Sequence, residues 1–232
     1  MRGTKKEVKQ ILDRIAAEGR KFVTEPEAKE VLKAYGVEVT NESLCHSAAE
    51  AAKKAGVIGF PVVMKIVSPQ IVHKTEFNAV KLDIRNATEV RSVYRDMMER
   101  AKNSRIQVHG ILVSETASGT EFIIGSMRDP QFGPLVMLGL GGIFVEVYKD
   151  VSYRLAPVES IDVKDMIAEL KGKSMLEGFR GKEKVDVKAL TKAVVSISQL
   201  QSDFEDIAEM DLNPVFGNSR GIKVADARIL LS

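Results

Sequence analysis

Apolar residues recur along the N-terminal part of the chain at the spacing of amphipathic helices. Val8, Ile11, Leu12 and Ile15 are three or four positions apart, which predicts a helix over residues 5–18. Further helices are indicated by start signals in which a capping side chain precedes a glutamate by three positions. These pairs are Thr24 with Glu27, Ser47 with Glu50 and Asn86 with Glu89, and they predict helices beginning at 24, near 48–55 and near 87–102.

Two strands are predicted between the third and fourth of these helices. Residues 62–67 are apolar except for Lys65. Residues 79–84 alternate, so Val80, Leu82 and Ile84 are expected on one face of the strand, opposite Lys81 and Asp83.

After residue 105 the pattern changes to a rapid succession of strands. They are predicted over 106–113, 121–127, 135–140, 144–148 and 151–156, with helices near 162–171 and 186–201 and a last hairpin after 207. We therefore expect an α+β protein with N-terminal helices (1–35), a small lobe (36–108) and a large, mostly antiparallel lobe (109–232). The pattern does not decide on which lobe the N-terminal helices pack.

Composition restricts the class of protein further. The 232 residues are 44% hydrophobic with a net charge of +2, which supports one large domain or two lobes and implies no strong attraction to nucleic acid or to an anionic membrane. No apolar run is long enough to span a bilayer, and the N-terminus lacks the apolar stretch of a secretory signal. Cys45 is the single cysteine, so we expect a reducing, cytoplasmic location and no nucleophilic role for this thiol.

The last hairpin carries a cluster of oxygen-bearing side chains. Asp211 and Asn213 alternate with Leu212 and so share one face of a strand, and a turn at 217–221 should return the chain so that Asp226 lies beside them. Two carboxylates and an amide suit Mg²⁺, a hard cation that prefers oxygen ligands. The same pattern also fits a solvated acidic strand edge, and spacing alone favours neither reading.

Two basic residues of the predicted small lobe carry candidate chemistry. Lys65 interrupts an apolar strand, so it either reaches the surface or meets an anion such as a phosphate, because a buried unpaired lysine is costly. His73 lies in a long polar connection, residues 68–76. It is either a surface histidine without a role or a nucleophile toward phosphorus, and His46 and His109 show no spacing that would make it a metal ligand.

A glycine-rich run at 133–142 invites a nucleotide-binding interpretation. It is not a dinucleotide-binding fingerprint, because Phe144 occupies the third glycine position and a strand, not a helix, is predicted to follow. The chain also lacks a phosphate-binding loop of the Gly-x4-Gly-Lys-Ser/Thr type. The glycines could equally serve a tight turn between buried strands.

Taken together, several segments resemble the ATP-grasp superfamily, and most closely the nucleotide-binding β subunits of ADP-forming acyl-CoA synthetases such as acetate–CoA ligase. The resemblance covers almost the whole chain. It rests on residues 59–65, 73–76, 119–125, 128–134, 139–146 and 211–214, of which Arg-Asp-Pro-Gln-Phe-Gly-Pro and Gly-Leu-Gly-Gly-Ile are the most specific.

The resemblance implies two α+β lobes that clamp ATP or ADP between antiparallel sheets. It assigns nucleotide contacts to phosphate-binding Lys65, to the phosphate-covering segment Val72, His73 and Lys74, to Glu115 and Ala117 near the adenine, to Glu121, and to Arg154. It also assigns Mg²⁺ ligands, since Asn213 and Asp226 match ligands of succinyl-CoA synthetases and Asp211 stands where those enzymes have a glutamate.

The resemblance further implies a reaction and a partner. Such synthetases convert acyl-CoA, ADP and phosphate into acid, ATP and CoA, and the histidine that matches His73 carries the phosphoryl group to ADP. With 232 residues devoted to the nucleotide fold, we expect a separate CoA-binding α subunit with its own phosphohistidine, in an α2β2 assembly. The alternatives are a carboxylate–amine ligase that makes an acyl phosphate directly from ATP, and a nucleotide-sensing subunit without catalysis.

One segment departs from the family pattern. Members often carry Gly-Gly shortly after the histidine motif, whereas this chain has Phe77-Asn78-Ala79-Val80. Because alanine adopts left-handed backbone angles poorly, we expect the loop to be stiffer or differently directed.

Overall fold

A computed structural model describes residues 2–68, 79–142, 149–178 and 183–232. The chain forms two compact units. We call Thr40–Thr116 the small unit, and Met1–Val39 together with Ala117–Ser232 the large unit. Within the described ranges, no helix is long and apolar enough to cross a membrane.

The small unit is a four-stranded antiparallel sheet packed against two helices. In chain order its elements are β2 (Glu42–Cys45), α3 (Ala48–Ile58), β3 (Val62–Val67), β4 (Val80–Ile84), α4 (Ala87–Asn103) and β5 (Gly110–Glu115), and the strand order is β2-β5-β3-β4. Both predicted helix starts are confirmed, because Ser47 accepts a hydrogen bond from the Glu50 amide and Asn86 accepts bonds from the Thr88 and Glu89 amides.

Strand β4 does not keep the alternation that its sequence predicts. Val62 pairs with Ile84 but Met64 pairs with Lys81, so β4 holds one more residue than β3 between these two pairs. Asp83 takes a left-handed conformation, with φ of 56°, within this bulge. The prediction that Leu82 faces the same side as Ile84 is therefore wrong, since Leu82 is 64% exposed and Ile84 is buried.

The large unit is built on a wider antiparallel sheet. Its strands are β1 (Phe22–Val23), β6 (Thr120–Asp129), β7 (Gly133–Leu140), β8 (Val151–Leu155), β9 (Ile207–Asn218), β10 (Gly221–Val224) and β11 (Ala227–Leu231). Among the described residues the strand order is β1-β11-β9-β6-β7-β8, with β10 also paired to β9. Its helices are α1 (Arg2–Ala17), α2 (Glu25–Ala34), α5 (Ser160–Glu169) and α6 (Val187–Asp203), with a 3-10 turn at Lys173–Glu177.

One face of this wider sheet is covered by helices. Phe122 and Ile124 of β6 and Leu212 of β9 share a buried core with the apolar side of α6, which includes Leu190 and Ile197. Because successive strand residues point to opposite faces, the residues between them lie on the other face of the sheet. That second face carries the candidate chemistry of the large unit.

The structure also decides where the N-terminal helices and the lobe boundary fall. Val8, Leu12 and Ile15 of α1 belong to the core of the large unit, so residues 1–39 pack there. The small unit extends to Thr116 and does not end at 108 as predicted. The reason is that β5 pairs with both β2 and β3 and therefore lies inside the smaller sheet.

The start of α2 is held by a charged capping arrangement. Thr24 donates its backbone N–H to Glu27 Oε2 at 2.9 Å, and Arg20 Nη2 donates to Glu27 Oε1 at 2.8 Å. Burial alone would raise the pKa of Glu27, but the hydrogen bonds from Arg20 and Thr24 outweigh burial and lower this pKa from 4.5 to about 2.

This lowered pKa predicts a pH dependence of folding stability. Ionised Glu27 contributes fully above its unfolded pKa of 4.5, and the contribution is lost as the pH falls toward about 2. Glu27→Gln should reduce the free energy of unfolding near neutral pH by on the order of 2 kcal/mol, with a difference from wild type that shrinks as the pH falls. Urea unfolding at several pH values checks this, with Glu30→Gln as the same change at an exposed position of α2. A difference that stays constant across the acid range would contradict it.

Candidate nucleotide and metal site

The hairpin of β9 and β10 brings the acidic residues of the large unit together. Strand β10 returns along β9 with Val224 opposite Val215, and the Ala225 N–H donates to the Pro214 carbonyl at 3.0 Å. The Asn213 N–H then donates to the Asp226 carbonyl at 3.2 Å. Asp226 therefore follows the hairpin directly beside Asn213, and β11, which begins at the next residue, pairs Arg228 with Asp211.

Burial and neighbouring carboxylates both affect the ionisation of Asp211 in this cluster. Burial, followed by the charges of Glu209 and Asp226, raises the pKa of Asp211, and Arg228 opposes the shift. Glu209 was not singled out from the sequence, although it continues the alternation of Asp211 and Asn213 along the same face of β9. That alternation was the signal that could have revealed it.

The donor set of this cluster fits a hard divalent cation. Asp211, Asn213 and Asp226 offer two carboxylates and an amide oxygen, the ligand types that Mg²⁺ takes while it keeps water and phosphate oxygens for its remaining positions. Among the residues that the structure describes, no group of three or more His, Cys, Asp or Glu side chains is arranged as a metal site.

Glu121 lies on the same face of the sheet, where β6 meets the glycine-rich run. It is opposite Phe216 of β9, and its carbonyl accepts the Gly141 N–H at 2.8 Å. A Cβ atom at Gly141 would lie 2.9 Å from the Cβ of Glu121, and Gly142 has a left-handed φ of 62°. The glycines of this run thus allow the end of β7 to pass close to Glu121, which agrees with the tight-turn interpretation.

Arg154 has an acidic partner within the large unit. Its guanidinium forms a two-pronged ion pair with Glu169 at the end of α5, with one of the two contacts at 3.1 Å. The hydrogen bonds from Arg154, followed by the one from Ser152, lower the pKa of Glu169 to about 2. A phosphate contact of Arg154 stays a prediction, and it would require this guanidinium to bind an anion beside, or instead of, Glu169.

In the small unit, the predicted nucleotide residues lie on β3 and at the end of β5. Lys65 is 6% exposed and is flanked in the sheet by Leu112 of β5 and Val80 of β4. Glu115 is fixed because its Oε1 accepts the Asn41 N–H at 2.8 Å and its own N–H donates to the Asn41 carbonyl. Ala117 is half-buried and is the first residue of the chain's return to the large unit.

Several predicted features lie outside the described residues. These are His73, Val72 and Lys74, as well as the strand predicted over 144–148. Ala79, which belongs to the departure from the family pattern, is buried, and its carbonyl accepts the Ile66 N–H at 2.9 Å.

Cys45 is the last residue of β2 and is buried. Burial, followed by the charge of Glu50, raises the pKa of its thiol to about 11. A thiol with this pKa is almost entirely protonated at neutral pH and is a poor nucleophile, in agreement with the expectation from the sequence.

Comparison with known proteins identifies the family of the chain. A model described as an ATP-grasp domain matches residues 14–231. The β subunit of acetate–CoA ligase [ADP-forming] I from Pyrococcus furiosus is 43% identical over 226 residues, which cover 96% of this chain and 97% of that subunit. The 4-hydroxybutyrate–CoA ligase [ADP-forming] of Nitrosopumilus maritimus is also 43% identical over 97% of this chain, which corresponds to 33% of that longer protein.

Solved structures of acetyl-coenzyme A synthetase 1 from Ca. Korarchaeum cryptofilum share the fold. A complex with coenzyme A and Ca-AMPCP superimposes with a TM-score of 0.93 at 48% identity, over 96% of this chain and 99% of the other. A complex with coenzyme A and Mg-AMPPCP, in which a phosphohistidine segment points towards the nucleotide-binding site, gives 0.86 at 45% identity, over 97% and 100%.

The chain therefore belongs to the ATP-grasp family, in the group that contains the β subunits of ADP-forming acetate–CoA ligases. The predicted α+β ATP-grasp fold and the family resemblance are confirmed.

The close approach at Gly141 predicts a specific loss of nucleotide binding. In Gly141→Ala the added methyl group must displace the side chain of Glu121 or the end of β7. If Glu121 contacts the nucleotide, ADP should bind about tenfold more weakly, which corresponds to the loss of one hydrogen bond to a charged group. Isothermal titration with Mg·ADP measures this. Gly56→Ala, which adds a methyl group in α3 with nothing within 4 Å, is the control, and an unchanged affinity in Gly141→Ala would argue against a nucleotide contact of Glu121.

Proposed function

We propose that the chain is the nucleotide-handling subunit of an ADP-forming acyl-CoA ligase. With a CoA-binding partner it catalyses the reversible reaction acyl-CoA + ADP + phosphate ⇌ carboxylic acid + ATP + CoA. The similarity over the full length to a β subunit of an ADP-forming acetate–CoA ligase carries this proposal. The acidic hairpin of β9 and β10, with its Mg²⁺-type donors, supports it from the structure.

In this proposal Asp211, Asn213 and Asp226 hold the magnesium ion that accompanies ADP or ATP. Bound there, the ion would offset negative charge on the phosphates and orient the terminal phosphate for in-line transfer. Glu121 binds the nucleotide in the large unit. Lys65 binds its phosphates, and Glu115 and Ala117 lie near its base. These assignments rest on the family resemblance together with the positions described above.

His73 is the proposed phosphoryl carrier. A nitrogen of its neutral imidazole attacks the phosphorus of a phosphohistidine on the partner, so that the N–P bond to the partner breaks as the N–P bond to His73 forms. A β-phosphate oxygen of ADP then attacks the same phosphorus, which yields ATP and returns His73 to its neutral form. The phosphohistidine segment that points towards the nucleotide site in the Korarchaeum synthetase supports such a transfer.

The relatives support a partner that supplies the acyl and CoA chemistry. The Pyrococcus relative is named as a β subunit, and in the Nitrosopumilus enzyme the matching region is one third of a longer polypeptide. We therefore propose a separate α subunit that binds CoA and carries its own phosphohistidine, in an α2β2 assembly.

The metal assignment predicts which carboxylates control metal binding. Asp211→Asn and Asp226→Asn should each weaken the binding of Mn²⁺ in the presence of ADP by about tenfold or more, because each removes a charged ligand of the cation. Electron paramagnetic resonance of free Mn²⁺ measures this in the isolated chain. Asp129→Asn is the control, because it removes the same charge from a turn outside the proposed site. Asp129 Oδ1 accepts the Gln131 and Phe132 amides there. This variant should leave Mn²⁺ binding unchanged. Equal affinities in all three variants would place the metal elsewhere.

The carrier role predicts a separation of chemistry from binding. His73→Ala, assayed with the partner subunit, should abolish ATP formation from acetyl-CoA, ADP and phosphate while Mg·ADP binding stays within about twofold. His46→Ala, at an exposed histidine of the small unit, should retain the wild-type rate. Acid-labile labelling of the wild-type chain but not of His73→Ala would support the transfer. ATP synthesis by His73→Ala at the wild-type rate would remove His73 from the mechanism, and ligase activity without any labelled chain would favour direct formation of an acyl phosphate from ATP.

A further inference from the structure

Helix α2 contains an ion pair that is withdrawn from solvent. Lys29 is 1% exposed and Glu25 is 5% exposed, and Lys29 Nζ lies 2.9 Å from Glu25 Oε1. Removing two charges from water is costly, so a buried pair of this kind is weak evidence for stability by itself. In some proteins such a pair fixes one particular arrangement of the chain. Lys29 also has another partner, outside its own helix.

That other partner is the backbone of the proposed metal site. Lys29 Nζ also donates to the carbonyl of Ala225 at 2.9 Å, across 196 positions of sequence. Ala225 directly precedes Asp226, and the two residues form the link between β10 and β11. The lysine therefore holds the peptide group that leads into a proposed Mg²⁺ ligand.

The same link is tied to β9 from its other side. The Ala225 N–H donates to the Pro214 carbonyl, and the Asp226 carbonyl accepts the Asn213 N–H. The link is therefore bonded to Asn213, a second proposed ligand, and to the residue that follows Asn213. The bonds to β9 set the spacing of Asp226 and Asn213. The bond from Lys29 Nζ to the Ala225 carbonyl adds a third point of attachment to the link, and this one comes from a helix.

We propose that Lys29, held by Glu25, is a positioning residue for the cation site, because it fixes the Ala225–Asp226 peptide and thereby the direction of the Asp226 carboxylate. Lys29 does not touch the cation, and it acts through Asp226. This inference rests on the proposed function, since it assumes that Asp226 is a ligand of the nucleotide-bound metal. Residues that orient metal ligands commonly change metal affinity by about 10- to 100-fold when they are replaced.

The central variant is the double substitution Glu25→Gln with Lys29→Met in the full chain. It removes both charges together and keeps side chains of similar length, so that no unpaired charge is left buried. Arg20→Met is the matched control, because it breaks an ion pair at the start of the same helix that has no bond to Ala225.

Two readouts separate positioning from simple loss of stability. The first is the dissociation constant of Mn²⁺ in the presence of ADP, which should rise about tenfold in the double variant and stay within about twofold in Arg20→Met. The second needs no metal. Amide exchange at Asn213 and Ala225 should become about tenfold faster in the double variant, while the Gly141 amide, bonded to Glu121 in the same unit, serves as the internal reference.

Wild-type Mn²⁺ affinity and unchanged Asn213 exchange in the double variant would overturn the inference and leave the proposed function standing. An equal loss of affinity in Arg20→Met, at an equal fall in melting temperature, would also overturn it, because the pair would then serve stability alone. Absence of Mn²⁺ and ADP binding in the wild-type chain, with folding intact, would overturn both the proposed function and the inference. If the double variant does not fold, Glu25→Gln with Lys29→Gln replaces it, since the shorter amide should not span to Ala225 and the same two readouts apply.

Discussion

The two-residue alternation of strand β9 is the constraint on which the large unit depends. Met210, Leu212 and Val215 enter the core beneath the helices, so Glu209, Asp211 and Asn213 must lie on the opposite face. The alternation tolerates one interruption, because the pairing of β9 with β6 shifts between Phe122 and Ile124. Packing and chemistry are thus two consequences of the same strand, and a slip of one residue would exchange the core for the acidic cluster.

The proposed cation site is supported by elements from three parts of the sequence. Strand β9 supplies two ligands, the link after β10 supplies the third, and helix α2 reaches that link through Lys29. Glu121 joins the same face of the sheet from β6, where a glycine at 141 leaves room for it. Phosphoryl transfer requires groups that are held in position before the reaction begins, and this arrangement of the proposed site agrees with that requirement.

Much of the fold could be predicted because its signals are local. Caps such as Ser47 and Asn86 bond to amides two or three residues away, and the apolar face of α6 repeats at helical spacing. The bulge at Asp83 could not be predicted, because it is defined by the pairing of β4 with β3. The residues of β4 by themselves give only a weak signal of it. The extent of the small unit was missed for a similar reason, since β5 belongs to it through bonds to β2 and β3.

By itself, the sequence determined the family, the type of fold and the candidate ligands Asp211, Asn213 and Asp226, because motifs and alternation are properties of neighbouring residues. The tertiary structure alone decided that the N-terminal helices pack on the large unit, that Arg154 pairs with Glu169, and that Lys29 bonds to Ala225. These contacts join residues far apart in the chain or on different elements. No periodic pattern in the sequence indicates these contacts, because they form only when the core has brought the elements together.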